Sequence, residues 1–136
     1  VIVIDASTLA KYVLHEDEWD EVSRYIKEVK PLYSVDHVLK EVANAIWKHT
    51  LTGIISLDLA MHLYESVEKF VTCELIVLED ELRYMRRAFE IAFKYDISVY
   101  DALYVASSER HGELLTSDEK QGIVARDLGI KVHMIP

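Results

Sequence analysis

The chain of 136 residues has one cysteine, two prolines, four glycines, and 15 lysines and arginines against 24 aspartates and glutamates. Each shortage excludes something. A lone Cys73 cannot form an internal disulfide, which fits a reducing cytoplasm. Gly53, Gly112, Gly122 and Gly129 stand far apart, so there is no glycine-rich loop to cradle a nucleotide. There is no repeat, linker or low-complexity segment. No apolar run approaches the ~20 residues that span a bilayer. The first residues read as a strand, not as a charged segment followed by an apolar one, so no secretory signal is expected. Neither the six histidines nor Cys73 show zinc-type spacing.

The scarcest commodity is positive charge. A net charge of −9 argues against broad nucleic-acid binding, because neutralising phosphates takes lysine and arginine. It does not exclude a nuclease, since a metal can bring positive charge to the reacting phosphate. The acidity suits a basic partner; equally, it serves to keep a small protein soluble.

What is present is a well-patterned chain. A hydrophobic content of 51% excludes disorder, and the length suits one domain over residues 1–136. Val1-Ile2-Val3-Ile4 is a β-branched run that reads as a strand buried on both faces. Asp5 follows at once, then a helix start. A charge at the exit of a buried strand is expensive unless capped, paired or metal-bound, and ligands of open α/β sheets sit outside the carboxyl ends of the strands. The arrangement recurs at Glu113-Leu114-Leu115-Thr116-Ser117-Asp118, a short apolar strand followed by a hydroxyl pair and an acid.

The elements alternate. Ser7 or Thr8 is expected to cap a helix to about His15, and Asp17 a second one presenting Val22, Tyr25, Ile26 and Val29, ended by Pro31. Leu32 to Val35 is a strand. Asp36 is expected to cap a helix to about Leu51 with Val38, Leu39, Val42, Ala45 and Ile46 on its apolar face, stopped by Gly53. Ser56 to about Val71 is a long helix whose apolar residues cover more than one face, which calls for two packing partners, the domain core and either a neighbouring helix or another subunit. Leu75 to Leu78 is a strand, and Asp80 starts a helix to about Tyr95. Ser98 and Asp101 form a capping box for a helix that ends at Gly112. Leu114 to Thr116, a helix over Glu119 to Leu128, and a strand over Lys131 to Met134 complete the chain. Strands alternating with helices define an α/β protein with a parallel sheet.

Two further acids draw attention. Glu41 lies in Val38-Leu39-Lys40-Glu41-Val42-Ala43-Asn44-Ala45-Ile46; at about 100° per residue it is roughly 60° from Val38, at the border of the apolar face. On its own it reads as a solvated helix glutamate. Asp101 lies in Tyr100-Asp101-Ala102-Leu103-Tyr104-Val105-Ala106, where it can be a capping-box acid, a ligand or both. Tyr100 and Tyr104 read as core. Asp118 can cap its helix, with Gln121 at the box position.

Taken together, these four segments resemble the PIN-domain ribonuclease family, most closely its compact prokaryotic members, the VapC-type toxins. The resemblance spans nearly the whole chain. Its most specific part is the run from Tyr100 to Ala106, supported by the order Asp, Glu, Asp, Asp. It implies five parallel strands, helices on both faces and a helical pair inserted near the middle. It implies an endoribonuclease with Asp5, Glu41, Asp101 and Asp118 as catalytic cation ligands, and products carrying a 5′-phosphate and a 3′-hydroxyl. It also implies a homodimer and a small antitoxin that blocks the acidic groove; a basic inhibitory segment would suit it. Carboxylates and water favour Mg²⁺ or Mn²⁺ over zinc. Such a cation polarises a phosphoryl oxygen and acidifies water, so no protein nucleophile is required. Ser7 and Thr116 are either phosphate contacts and supports for the acids or helix caps. Asn44, one turn after Glu41, orients it, meets RNA, or is an exposed amide. The rival reading keeps the fold but makes it a non-catalytic module that grips RNA or a protein. A haloacid-dehalogenase-like phosphatase fits poorly, because it wants a second acid where Ser7 stands.

Overall fold

A computed structural model describes all residues, 1–136. The chain runs β1 (Ile2–Ile4), α1 (Ala6–Val13), α2 (Trp19–Glu28), β2 (Leu32–Val35), α3 (His37–Leu51), α4 (Leu57–Thr72), β3 (Ile76–Glu79), a 3₁₀ turn (Glu81–Arg83), α5 (Met85–Tyr95), α6 (Val99–His111), β4 (Glu113–Thr116), α7 (Glu119–Asp127) and β5 (Lys131–Met134). The five strands form one sheet in the order β3-β2-β1-β4-β5, every neighbouring pair parallel. This is the α/β arrangement that the alternation of elements calls for.

The β-branched run behaves as its composition dictates. Val3 and Ile4 of β1, and Leu114 and Leu115 of β4, are wholly buried. Successive strand residues point to opposite faces, so this burial requires helices on both sides of the sheet. Thirty-two buried apolar residues form one continuous core.

Strand order decides where the acids go. From β1 the chain builds outward through β2 to β3, then returns to the other side of β1 to lay down β4 and β5. The direction therefore reverses between β1 and β4, the crevice where open α/β sheets bind ligands. Ile4 pairs with Leu115, and the Asp5 N–H donates to the Leu115 carbonyl at 3.3 Å. Asp5 and Thr116 thus leave the sheet side by side.

Several local expectations give way to tertiary contacts. The first helix is capped by Asp5, whose carboxylate accepts the Thr8 N–H, so Ser7 and Thr8 lie inside α1. Asp17 does not cap α2; Glu18, in the left-handed region, precedes it without a side-chain bond. Asp36 stands at the cap position of α3, but its carboxylate turns away to accept the Glu81 N–H at 3.2 Å. Strand β3 sits one residue later than the apolar pattern suggests, because Glu79 is paired with Val35 and buried. The helix expected from Asp80 is broken into a 3₁₀ turn and α5 at Tyr84, which is buried and donates its hydroxyl to Glu79 at 2.8 Å.

Other signals hold. Ser98 Oγ accepts the Asp101 N–H at 3.1 Å, and Gly112, at φ +100°, ends α6 in a conformation that only glycine adopts without strain. On α4, Ala60 and Val67 face the core while Leu57, Leu59 and Met61 stay exposed, so one of the two faces read from its sequence has no partner within the chain.

Candidate active site

The first acid is fully buried, and three donors hold it. Thr116 Oγ1 donates to Asp5 Oδ2 at 2.6 Å, Ser7 Oγ reaches the two carboxylate oxygens at 2.9 and 2.8 Å, and the Thr8 N–H donates to Oδ1 at 3.0 Å. Burial pushes the Asp5 carboxyl up to about 6; the bonds from Thr116, Thr8 and Ser7 oppose that rise and keep it from going higher. The short spacing of Asp5 and Ser7 is local, but the Thr116 bond exists only because β4 lies beside β1.

Thr116 serves two acids. Its hydroxyl donates to Asp5 and accepts the Asp118 N–H at 3.0 Å. Asp118 then caps α7, its Oδ1 accepting the Gln121 N–H at 3.1 Å, as the capping-box spacing suggests. The Gln121 side chain turns the other way, and its Nε2 donates to Asp101 Oδ1 at 3.1 Å. Gln121 therefore joins Asp101 and Asp118, a link that sequence reasoning missed. The only available signal was its place three residues after Asp118.

Glu41 comes from α3 and faces α6. Tyr104 donates its hydroxyl to Glu41 Oε1 at 2.9 Å. Burial raises the Glu41 carboxyl; the Tyr104 bond and the neighbouring His37 lower it, and the Asp101 charge raises it again. Asp101 is raised by burial and then by the Asp118 charge, against the bonds from Ser98 and Gln121 and the charge of Lys120. Burial and the nearby carboxylates also raise the Tyr104 hydroxyl, which stays a proton donor. Tyr104 belongs to the core as read from the sequence. Tyr100 does not: it is 60% exposed.

Glu41, Asp101 and Asp118 wall one cavity of about 200 Å³, together with Ala6, Ser7, Ala10, Ala45 and Gln121. Asp5 is buried and does not line it, but Ser7, which does, is hydrogen-bonded to Asp5. Asn44 lies outside, in an adjoining cavity that shares Glu41. The small side chains Ala6, Ala10 and Ala45 leave room for a ligand among the acids. As they stand, no three His, Cys, Asp or Glu side chains close around a common point at metal-binding distance. Each acid accepts hydrogen bonds from the protein instead: Asp5 from Thr116, Ser7 and Thr8, Glu41 from Tyr104, and Asp101 and Asp118 both from Gln121.

The donor set is still that of a hard cation. Its walls offer carboxylate and hydroxyl oxygens, and Gln121 Oε1 is buried there without a hydrogen-bond partner. Oxygen-rich surroundings suit Mg²⁺ or Mn²⁺, and a cation would offset what raises Glu41 and Asp101, burial first and then the charges of Asp101 and Asp118 respectively.

A parallel sheet whose order of winding reverses between β1 and β4, with acids gathered at that crevice, defines an α/β protein with an acidic, ligand-sized site. Residues 2–127 match the model of the PIN domain, and the chain belongs to the PIN-domain family. It is also 32% identical over 120 residues to Ribonuclease VapC3 of Pyrobaculum aerophilum, a match that covers 88% of this chain and 90% of that protein.

Proposed function

We propose that the protein is a metal-dependent endoribonuclease that hydrolyses phosphodiester bonds of RNA, and that it acts as the toxin of a toxin–antitoxin pair. The observation that carries the reading is the single cavity walled by Glu41, Asp101 and Asp118, tied through Ser7 to buried Asp5, at the β1–β4 crevice of a PIN fold. The similarity to Ribonuclease VapC3 supports it. Asp5, Glu41, Asp101 and Asp118 would hold Mg²⁺ or Mn²⁺. When bound, the cation supplies the positive charge that the acidic chain lacks at the scissile phosphate. The chain's own residues prepare the place. Thr116 and Ser7 favour the charged form of Asp5 against burial, Tyr104 fixes Glu41, and Gln121 spaces Asp101 from Asp118.

The partners follow from charge and exposure. A small antitoxin would block the acidic cavity with a basic segment. Arginine suits it better than lysine, because it grips a carboxylate with two parallel bonds. A homodimer would cover exposed apolar side chains such as Phe89 and Phe93 of α5. No helix is long and apolar enough to cross a membrane. We read residues 1–136 as one PIN unit working in the cytoplasm.

The rival, a PIN module that binds without cutting, draws its support from the protein hydrogen bonds that already occupy each acid. Incubation with single-stranded RNA separates the two. Cleavage with Mg²⁺ or Mn²⁺ that stops on chelation supports the nuclease, and products ending in 5′-phosphate and 3′-hydroxyl support hydrolysis by water rather than attack by the RNA 2′-hydroxyl. Full activity in excess chelator would sink the metal-dependent reading, and RNA binding with no cleavage under any divalent cation would favour the module.

A further inference from the structure

The acid cavity continues past Glu41 into a second cavity of about 410 Å³, lined by His37, Lys40, Glu41, Asn44 and Tyr100. Tyr100 lies in the first turn of α6, beside Asp101 in sequence, and lines the second cavity, which shares Glu41 with the acid site. Its ring stacks on His37, with centroids 4.8 Å apart and planes within 12°. One face is thereby backed by protein, while the side chain as a whole is 60% exposed.

His37 is built in rather than draped on the surface. It is 8% exposed, its Nε2 lies 3.0 Å from Glu41 Oε1, and its Nδ1 lies 3.9 Å from Glu81 Oε2. The approach to Glu41 is poorly aimed, and Nε2 makes no hydrogen bond. His37 thus sits in the cavity wall with Nε2 within ion-pair reach of Glu41, behind an aromatic ring that is mostly open. Lys40, 68% exposed and 3.6 Å from Glu81, lies on the same wall, and so does the exposed amide of Asn44.

We propose that this second cavity is a nucleobase subsite for single-stranded RNA, in which a base flanking the cleaved phosphate stacks on Tyr100. The inference rests on the nuclease reading of the adjoining acids and adds how they are supplied with substrate. His37 braces the platform from behind. Lys40 meets the neighbouring backbone phosphate, and the Asn44 amide meets the base edge. A chain of net charge −9 gains little from phosphate contacts, so affinity has to come from a contact that does not depend on charge. Base–aromatic stacking is such a contact, and it accepts any base. It also selects unpaired RNA, because in a duplex the faces of the bases are already stacked.

The test uses an oligoribonucleotide carrying 2-aminopurine, whose fluorescence is quenched on stacking, and the same oligomer with an abasic residue in its place. Binding and cleavage are measured with Mg²⁺ or Mn²⁺ present. Wild type should quench the probe. Tyr100→Ala should weaken binding about tenfold or more and raise KM with kcat little changed, while Tyr100→Phe should stay close to wild type. The abasic oligomer should bind wild type and Tyr100→Ala alike. Lys40→Ala should lower the salt dependence of binding by about one unit of slope. Tyr100-dependent quenching without cleavage would keep the subsite and remove the nuclease reading. Cleavage with Tyr100→Ala equal to wild type in KM and binding would keep the nuclease and overturn the subsite. Failure of wild type to bind the oligomer at all would also overturn it, as would an effect of Tyr100→Ala confined to an arginine-rich peptide.

Discussion

Tyr104 donates its hydroxyl to Oε1 of Glu41 across 2.9 Å, tying α6 to α3 at the edge of the acid cavity. Tyr104 is otherwise fully buried, so its ring anchors that hydroxyl in the core. Removing the oxygen alone, as Tyr104→Phe, keeps the packing and frees Glu41. Stability should fall by no more than about 1 kcal/mol. If Glu41 holds a cation, Mg²⁺ affinity should drop roughly 10- to 100-fold, as is usual when the partner of a ligand is lost. Titration of Mg²⁺ against melting temperature checks this, and unchanged affinity would take Glu41 out of the cation site.

Asp101→Asn separates a ligand from a structural acid. The Asp101 side chain accepts only from Gln121 among the chain's amides, and the capping bond at Ser98 uses the Asp101 backbone N–H, which the variant keeps. Burial and the Asp118 charge both raise the Asp101 carboxyl, so its ionised form costs folding free energy near neutral pH. The metal-free variant should be as stable as wild type or slightly more so. Mg²⁺ should raise the melting temperature of wild type, because it binds only the folded site, and should do much less for the variant. RNA cleavage should fall by orders of magnitude. A destabilised variant that still cuts normally would remove Asp101 from the site.

Thr116→Val tests the hydroxyl shared by two acids. The replacement keeps the shape but deletes the donor to Asp5 and the acceptor for the Asp118 N–H. A buried carboxylate left short of a donor should cost about 1–3 kcal/mol, read as a lower midpoint in urea. Thr116→Ser should recover part of the loss. Equal stability of Thr116→Val and wild type would mean that Ser7 and Thr8 hold Asp5 unaided.

A pH signature is also expected from Glu79, which does not line the acid cavity. Burial by itself would raise Glu79, but hydrogen bonds from His111 and Tyr84 and the charges of His111 and Arg83 outweigh it and hold the carboxyl below the usual range. A group lowered by folding stabilises the protein above its unfolded value, here 4.5, and the contribution is lost as pH falls through the lower folded value. Glu79→Gln should therefore lose about 1–3 kcal/mol at neutral pH, with the gap to wild type closing as pH drops below that range. Thermal melts from pH 7 to pH 3 measure it. A gap independent of pH would show that packing rather than charge is responsible.

An arginine-rich peptide offered to the acid cavity should bind with an affinity that falls with added salt, since the attraction is between opposite charges. It should compete with Mg²⁺ for the same carboxylates. A peptide that binds equally well at high salt, or alongside saturating Mg²⁺, would not be occupying this cavity.

The sequence by itself determined the elements and the approximate positions of the acids. The β-branched run before Asp5, the apolar face of α3, the Ser98 cap and the stop at Gly112 are local matters, settled by side-chain shape, periodicity and glycine's conformational freedom. Asp118 could likewise be read as a cap from its distance to Gln121. The tertiary structure decided how those acids are held and which surfaces stay open. Thr116 reaches Asp5 across 111 residues and Tyr104 reaches Glu41 across 63, contacts fixed by strand order and helix packing rather than by any nearby pattern. Asp36 left its expected capping bond because the Glu81 N–H, delivered by β3, offered a partner. Tyr100 and Tyr104 show the same division on one helix. Four residues place their side chains on nearby but not identical bearings, and only the position of α3 determines that Tyr104 ends in the core while Tyr100 stacks on His37 at the surface.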